Sequence, residues 1–179
     1  MTVTAHTIIA FWTEAGRERW YAADPDFDAL IRERFLSVHE AAARGDLPWG
    51  DSAVGTLALL LLLDQFPRNM FRGTPRAFAT DARAIALASR AIARGFDRAH
   101  EPPLRSFFYV PFMHSEELMH QRRCEALYAA DGDEDGLKWA VMHREIIARF
   151  GRFPHRNPIL GRAMTPEEQA YLDADGFRG

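Results

Sequence analysis

Residues 57–63 are the feature that most constrains the fold, since they form an apolar run in which only Ala58 is not a leucine. A helix that is apolar on every side must be buried on every side. The run is far shorter than the roughly 18 to 20 apolar residues that cross a bilayer. We therefore expect it to form the buried central helix of a globular fold, capped by Asp51 and ended by Pro67.

The rest of the chain is typical of an all-α protein. Ala, Leu, Arg and Glu dominate the 179 residues, and no segment alternates apolar and polar residues for long. Patterns of apolar residues and helix-end signals predict about eight helices joined by short turns, stacked as antiparallel hairpins. A chain of this length can bury a core without metal or disulfide support, so we expect a single all-helical domain over residues 1–179.

Helix boundaries follow from capping residues, glycines and prolines. The first helix is expected to stop near Gly16, and the second to run from Asp24-Pro25 to Gly45. A later helix is expected to open at Thr74-Pro75 and end at Gly95. Its predicted buried face is formed by Phe78, Ile85, Ala88 and Ile92.

The second half of the chain contains one ambiguous segment, residues 107–113, which we interpret as a helix broken at Pro111 because no partner strand is evident. Two helices are predicted at about 115–130 and 137–150. The last helix is predicted to begin at a capping box, Thr165-Pro166-Glu167-Glu168, and to end at about residue 174.

Charge and composition exclude several classes of protein. A net charge of −3 argues against a dedicated nucleic-acid binder. One cysteine, Cys124, allows no framework of disulfide bonds. The first 15 residues lack the features of a secretory signal. We expect a cytoplasmic protein with no nucleic-acid partner, no membrane association and no cofactor; the oligomeric state is left open.

Two loops repeat the same pattern of residues. Phe66-Pro67-Arg68-Asn69 follows one helix, and Phe153-Pro154-His155-Arg156-Asn157 follows another. An Arg and an Asn at a helix end can bind a carboxylate or a phosphate, but they can equally cap the last carbonyl groups of the helix. Asp64 is expected to be partly buried, and therefore to be a partner of Arg68 or Arg156.

A third polar segment is His114-Ser115-Glu116-Glu117-Leu118-Met119-His120-Gln121. His114 with Glu116 or Glu117 could transfer protons without a metal, whereas the structural alternative makes Ser115 a helix cap. Gln121 and Cys124 share a helical face with Glu117 and His120. A lone Glu-x-x-His pair is too little for a di-iron site, so no metal is expected. We interpret Cys124 as a small semi-buried residue and His143 as a core histidine.

Three stretches overlap these polar segments: Leu63–Asn69 with Arg72–Phe78, then Pro111–Glu116, then Arg149–Asn157. In this chain order they resemble the motifs of the bacterial Domain of Unknown Function 924 family. The resemblance extends from Phe11-Trp12 to the Thr165-Pro166 helix, and it implies an all-helical fold related to tetratricopeptide-like arrays, an αα-superhelix. The family has no assigned reaction. The chain departs from the family pattern at His120, where the family is more often acidic, which weakens any metal site built on that residue.

Three functions fit this sequence, and one of them is an assembly surface without a ligand, which is indicated by the many aromatic residues, among them Trp12, Trp20, Trp49 and Trp139. The other two use the polar residues. The first is a non-enzymatic binding module whose groove holds an anionic small molecule or peptide group, with these ligand-binding residues: Asp64, Arg68, Asn69, His114, Gln121, His155, Arg156 and Asn157. The second is a small metal-independent hydrolase or lyase that uses His114 and a glutamate as acid and base, with Arg68 or Arg156 stabilising negative charge. In either case we expect the two Arg-Asn loops to converge on His114, with Asp64 shared between the two arginines.

Overall fold

The computed structural model describes residues 3–178, and this part of the chain is helical without any β-strand. The all-α prediction is therefore confirmed. The helices form two compact units, one containing the chain up to Arg72 together with Arg76–Pro111, the other containing Gly73–Pro75 and the chain from Phe112 onward. Each unit is described by itself below.

The first unit contains α1 (Ala5–Trp20), α2 (Pro25–Arg44), α3 (Ala53–Leu60), a π-helix (Leu61–Gln65), α4 (Phe66–Met70) and α5 (Asp81–Ala93), with short 3₁₀ helices at Asp97–Ala99 and Leu104–Phe108. A further 3₁₀ helix, Pro75–Phe78, and α6 (Val110–Met113) lie where the chain passes between the units. The second unit contains α7 (Leu118–Asp131), α8 (Glu134–Phe150), a 3₁₀ helix (Pro154–Arg156) and α9 (Pro166–Asp173).

The leucine run lies at the centre of the first unit, as predicted. The α3 helix, the π-helix and α4 follow one another without a break from Ala53 to Met70, and they pack against α1, α2 and α5. Every residue from Leu57 to Leu63 is at most 7% exposed. The helix is capped by Ser52, whose Oγ accepts the Gly55 N–H at 3.1 Å, rather than by Asp51, which is exposed.

The prediction that Pro67 ends this helix is wrong, because helical backbone continues to Met70. In the π-helix the Phe66 N–H donates to the Leu61 carbonyl five residues back. Pro67 has no N–H to donate, so side chains bind the next two carbonyl groups after that of Leu61, those of Leu62 and Leu63. His39 Nδ1 binds the Leu62 oxygen at 2.8 Å, and the Thr80 hydroxyl donates to the Leu63 oxygen at 2.5 Å. The backbone can therefore stay helical through the proline.

The first helix also runs further than predicted. Gly16 has a left-handed backbone (φ 75°) and kinks α1, yet the helix resumes and reaches Trp20. Past the kink, the Trp20 indole N–H donates to the Trp12 carbonyl at 2.6 Å, and the two indole rings stack 5.8 Å apart. This contact folds the last part of α1 back onto the core, so Gly16 bends the helix instead of stopping it.

The helix predicted to open at Thr74-Pro75 is divided. A 3₁₀ turn from Pro75 to Phe78 comes first, and α5 begins only at Asp81. The buried face of α5 also differs from the predicted one, since it consists of Ala84, Leu87, Ala88 and Ala91, with only Ala88 in common. Small alanines on this face allow α5 to approach α3 closely.

Pro111 does not break a helix either, because it lies in the first turn of α6, where a missing N–H is tolerated. The residues before it form the separate 3₁₀ helix Leu104–Phe108. The Phe107 ring of that helix packs edge-on against Trp12 and Trp20, at 5.8 and 5.0 Å between centroids. Residues 107–113 are thus largely helical, as expected, but the interruption lies between Phe108 and Val110 and not at Pro111.

The second unit is built on a helical hairpin. The α7 and α8 helices pack closely along each other and are joined by Gly132 and Asp133, the glycine having a left-handed backbone (φ 71°). A buried apolar cluster of this unit contains Ile146 and Ile147 of α8 and Phe153 of the loop after it. The predicted capping box at the start of α9 is confirmed, with Thr165 Oγ1 accepting the Glu168 N–H and the Glu168 carboxylate accepting the Thr165 N–H.

Within residues 3–178, no helix is both long enough and apolar enough to cross a bilayer.

Candidate functional site

Arg68, in the first of the two repeated loops, is bound on several sides by groups of the same unit. Its two terminal nitrogens donate to the two carboxylate oxygens of Asp81, both at 2.9 Å. One of them also donates to the backbone carbonyl of Asp64 at 2.6 Å and lies 3.3 Å from the Asp64 carboxylate. Burial opposes the charge of Arg68, but Asp64 and Asp81 outweigh this effect, and the pKa of Arg68 is raised.

Asn69 and Arg72 share a second acidic partner. Asn69 Nδ2 donates to Asp28 at 2.7 Å, and the Arg72 guanidinium contacts both oxygens of the same carboxylate at 2.7 and 3.0 Å. These bonds connect α4 and the turn after it to α2. The donors of Arg68 and Asn69 therefore bind mainly the carboxylates of Asp81 and Asp28, and only the bond from Arg68 to the Asp64 carbonyl is of the helix-capping kind that was the alternative to ligand binding.

In the second unit, two side chains hold the turn that follows α6. Gln121 Nε2, on α7, donates to the carbonyl oxygens of Met113 and Ser115 at 2.7 and 2.6 Å. The carbonyl between them, that of His114, accepts a bond from Arg156 at 3.0 Å. Gln121 and Arg156 therefore bind neighbouring carbonyl groups of one turn, and this brings the predicted residues His114, Gln121 and Arg156 together.

Glu116 ties this turn to the loop after α8. Its carboxylate accepts two bonds from the Arg162 guanidinium, at 2.7 and 2.9 Å, and one from the Phe153 N–H at 2.8 Å. Burial raises the pKa of Glu116, but the bonds from Arg162 and Phe153 outweigh it, so that the pKa is lowered. A carboxylate held in this way stays ionised and fixes the position of the loop.

His155 lies in this loop, half-buried, with its Nδ1 atom shielded from solvent and without a hydrogen-bond partner among residues 3–178. Burial lowers its pKa to about 3, and the nearby charges of Arg156 and Arg162 add to this shift, while Glu116 opposes it. The imidazole is therefore neutral near pH 7, in surroundings where the positive potential of two guanidinium groups prevails.

His143, on α8, is a second neutral imidazole in the same cluster. Its Nδ1 binds the Trp139 carbonyl at 2.8 Å, and since a carbonyl only accepts, this nitrogen carries the hydrogen. Burial lowers the pKa of His143 to about 4, with contributions from His114 and Arg156. The interpretation of His143 as a satisfied core histidine is confirmed, although it lies beside the predicted site.

Asn157 completes the loop and is fully buried. Its Nδ2 contacts Met164 Sδ at 3.4 Å, and its Oδ1 finds no partner in the described part of the chain. The buried Oε1 of Gln121 is in the same situation. The buried side of the cluster therefore offers two amide oxygens, both acceptors.

The structure thus groups the predicted residues by unit. The second unit contains His114, Glu116, Gln121, His155, Arg156 and Asn157, whereas Asp64, Arg68 and Asn69 belong to the first unit. The partnership of Asp64 with Arg68 is confirmed at 3.3 Å. The convergence of both loops on His114, with Asp64 shared by Arg156, stays a prediction because the loops lie in different units.

The other residues singled out in this part of the sequence are occupied by contacts within the second unit or are exposed. Glu117 is exposed and is itself the N-cap of α7, so Ser115 does not cap the helix; the Ser115 hydroxyl accepts the Glu117 N–H at 3.1 Å. The same hydroxyl contacts His120 Nδ1 at 2.8 Å. Cys124 is buried, as expected. Across residues 3–178, no group of three or more His, Cys, Asp or Glu side chains is placed to hold a metal ion.

Sequence reasoning missed several residues that shape these clusters. Asp81 begins α5, and Arg162 follows Gly161 in a loop, so neither lies in a recognisable motif. Phe177, near the C-terminus, packs against His143 and His155 without any pattern to predict it. The two repeated Phe-Pro loops and the His114–Gln121 segment were visible as signals, but the partners of the loop arginines come from elsewhere in the chain.

Comparisons with known proteins place the chain in a family. A family model described as "Bacterial protein of unknown function (DUF924)" matches residues 8–176. The solved structure of the protein of unknown function ATU0120 from Agrobacterium tumefaciens is similar, with 48% identity and a TM-score of 0.91, covering 95% of this chain and 97% of that one. A comparison with curated proteins finds no match. The resemblance read from the three polar segments is therefore confirmed, and the chain belongs to the DUF924 family of bacterial proteins.

Proposed function

We propose that the protein is a non-enzymatic binding module, and that the cluster of the second unit around His155 and Arg156 holds an anionic group of a small molecule or peptide. The observation that carries the proposal is the state of His155. It is a neutral imidazole in a positive environment, and its buried Nδ1 has no partner among the described residues.

A neutral imidazole is well suited to such a role. It can donate one N–H to an anionic oxygen, while the guanidinium groups of Arg156 and Arg162 supply the attracting charge. Arg162 is held in place by Glu116, and Arg156 by the His114 carbonyl and by the Phe153 ring, 4.4 Å from its Cζ atom. Donors that are fixed before binding lose little entropy when the ligand arrives.

The alternative function, a hydrolase or lyase with His114 and a glutamate as acid and base, has less support. Glu116 accepts bonds from Arg162 and Phe153, and its lowered pKa makes it a weak base. Glu117 lies exposed at the N-terminal end of α7. Neither carboxylate is arranged as the proton carrier that acid–base catalysis needs.

The proposal also includes the tetratricopeptide-like architecture and a cytoplasmic location. Stacked helical hairpins of the tetratricopeptide type present grooves in which ligands bind, and the close packing of α7 on α8 is compatible with such a stack. A cytoplasmic location would suit a protein that binds a small anion and has one buried cysteine.

Isothermal titration calorimetry with three probes, inorganic phosphate, sulfate and acetate, tests the proposal. We expect at least one probe to bind the wild-type protein, and the His155→Gln variant to bind it about tenfold more weakly, a change of about 1.4 kcal/mol. His6→Gln is the matched control, since His6 is exposed at the start of α1. Absence of binding by all three probes, or equal affinity in the wild-type and His155→Gln proteins, would overturn the proposal.

A further inference from the structure

Phe177 lies beyond the last helix, yet its ring is inserted into the histidine cluster of the second unit. The α9 helix ends at Asp173. Four residues later, the Phe177 ring centroid is 4.6 Å from that of His143 and 5.2 Å from that of His155. The same ring packs against the buried cluster that contains Phe153. The segment after α9 therefore covers the two imidazoles.

The backbone around Phe177 is attached by bonds to the end of α9. The Phe177 N–H donates to the Tyr171 hydroxyl at 3.0 Å, and the Gly176 N–H donates to the Tyr171 carbonyl at 3.0 Å. The Phe177 side chain itself is only partly buried. Phe177 lies in a non-helical segment after Asp173, and a half-buried ring in such a segment has fewer contacts to lose than a core ring, so that it can open locally.

The surface under Phe177 is aromatic and uncharged. Both imidazoles are neutral near pH 7, so they face Phe177 as flat rings. Trp139 continues the row, 6.5 Å from His143 between ring centroids, and is 47% exposed. Aromatic rings gain from such offset or edge contacts beyond the area they bury.

A cation lies at one end of this row of rings. The Phe153 ring centroid is 5.6 Å from that of His155, and the Arg156 guanidinium lies over the Phe153 ring, 4.4 Å from its centroid. A slot for a flat ring is therefore next to the group that would attract a negative charge. A ligand that combines an aromatic ring with an anionic group would use both features.

We infer that Phe177 is a displaceable cover over an aromatic slot, and that the anion bound by this protein is carried on an aromatic or heteroaromatic ring which takes the place of Phe177. The ligand class rests on the proposed function; the covering role of Phe177 does not. Because Phe177 and the ligand ring compete for one place, the apparent affinity equals the intrinsic affinity multiplied by the fraction of protein that is uncovered.

Calorimetry with a matched pair of probes, phenyl phosphate and inorganic phosphate, tests the ligand class. In the Phe177→Ala variant, phenyl phosphate is expected to bind about five- to tenfold more tightly than in the wild type, because its ring no longer has to displace Phe177. Inorganic phosphate is expected to change less than about twofold, since it does not enter the slot. Phe177→Leu, which keeps an apolar cover, serves as the control and should fall between the two proteins.

Proton NMR titration of the histidines tests the cover without any ligand. Removing the Phe177 ring exposes His155 to water, so its pKa should rise from about 3 toward the ordinary value of 6.5 by about one unit or more. In Phe177→Leu the rise should be smaller. Circular dichroism of each variant establishes that the fold is retained.

The results test the aromatic ligand class and the covering role of Phe177 separately. Equal gains for both phosphates, or weaker binding of phenyl phosphate in Phe177→Ala, would overturn the aromatic ligand class. An unchanged pKa of His155 in Phe177→Ala would overturn the covering role. If neither phosphate binds any of the proteins while the pKa of His155 rises, the cover is real, and the proposed function falls together with the ligand class.

Discussion

Thr80 donates its hydroxyl hydrogen to the carbonyl oxygen of Leu63, 2.5 Å away, in the place where Pro67 has no N–H to offer. The bond joins the residue before α5 to the π-helix that precedes the proline. It lies in the interior, since Thr80 is 9% exposed and Leu63 is 2% exposed. A buried carbonyl left without a donor would be costly, so Thr80 is part of what allows the central helix to continue.

Replacing Thr80 by Val should therefore destabilise the protein. The variant keeps the shape of the side chain but leaves the Leu63 oxygen unsatisfied, for an expected loss of about 1–3 kcal/mol in the free energy of unfolding. Thr80→Ser, which retains the hydroxyl, is the control and should lose less. Urea denaturation monitored by circular dichroism gives both values, and an equal loss in the two variants would show that the hydroxyl has no role.

The sequence predicted the central helix because the necessary information is local. Residues 57–63 are apolar on every side, and no arrangement other than burial suits them. The continuation through Pro67 depends on His39 and Thr80, which are 23 and 17 residues away from the carbonyl groups they bind. A rule that reads proline as a helix end has no access to such partners.

The buried face of α5 shows a similar limit. The prediction placed Ile85 and Ile92 inside together with Ala88, whereas the structure buries Ala84, Leu87 and Ala91 beside Ala88. Helical periodicity permits both faces, since apolar residues occur on each. Close packing against α3 selects the alanine face, and that choice depends on tertiary contacts.

Only the part of the candidate site that lies in the second unit was predictable from the sequence. The His114 segment and the Phe153–Asn157 loop share one unit, where Glu116 and Arg156 join them. The partners that set the charges, Asp81 for Arg68 and Arg162 for Glu116, lie 13 and 46 residues away in the sequence. Such pairings are fixed by the packing of whole helices and loops.

Cys124 should be unreactive in the folded protein. The side chain is fully buried, and burial raises the pKa of its thiol well above the ordinary value, so almost no thiolate exists near pH 8. With a disulfide reagent such as 5,5′-dithiobis(2-nitrobenzoate), we expect no colour from the native protein and one thiol per chain in denaturant. Rapid reaction of the native protein would contradict the burial of this residue.

Gln121 should contribute more to stability than an ordinary surface glutamine. The Gln121→Met variant keeps the length of the side chain but removes the donors to the Met113 and Ser115 carbonyl groups, with an expected loss of about 1–3 kcal/mol. Gln169→Met is the matched control, since Gln169 is exposed on α9 and its side chain donates to Asp173 on the same helix. Its loss in the free energy of unfolding should stay within about 0.5 kcal/mol. Denaturant unfolding curves would refute the prediction if both variants lost the same amount.

Glu168 and its neighbour Glu167 provide a test of the acid dependence of stability. Glu168 is buried, accepts two bonds from Arg152 and closes the capping box of α9, whereas Glu167 is exposed and pairs with Arg149 at 3.0 Å. The bonds from Arg152, joined by the Thr165 N–H, lower the pKa of Glu168 from 4.5 to about 2 against the effect of burial. In the unfolded chain the pKa returns to its ordinary value.

A lowered pKa in the folded state means that Glu168 stabilises the protein fully above pH 4.5, and that this contribution is lost as the pH falls toward about 2. Glu168→Gln should therefore lower the melting temperature near neutral pH, and the gap to the wild type should close over that acidic range. Glu167→Gln should change the melting temperature little at any pH, since exposed ion pairs contribute little. Calorimetric melting curves of the three proteins at several pH values measure this, and a Glu168→Gln gap that stays constant down to pH 2 would mean that the ion pair with Arg152 does not depend on the ionised carboxylate.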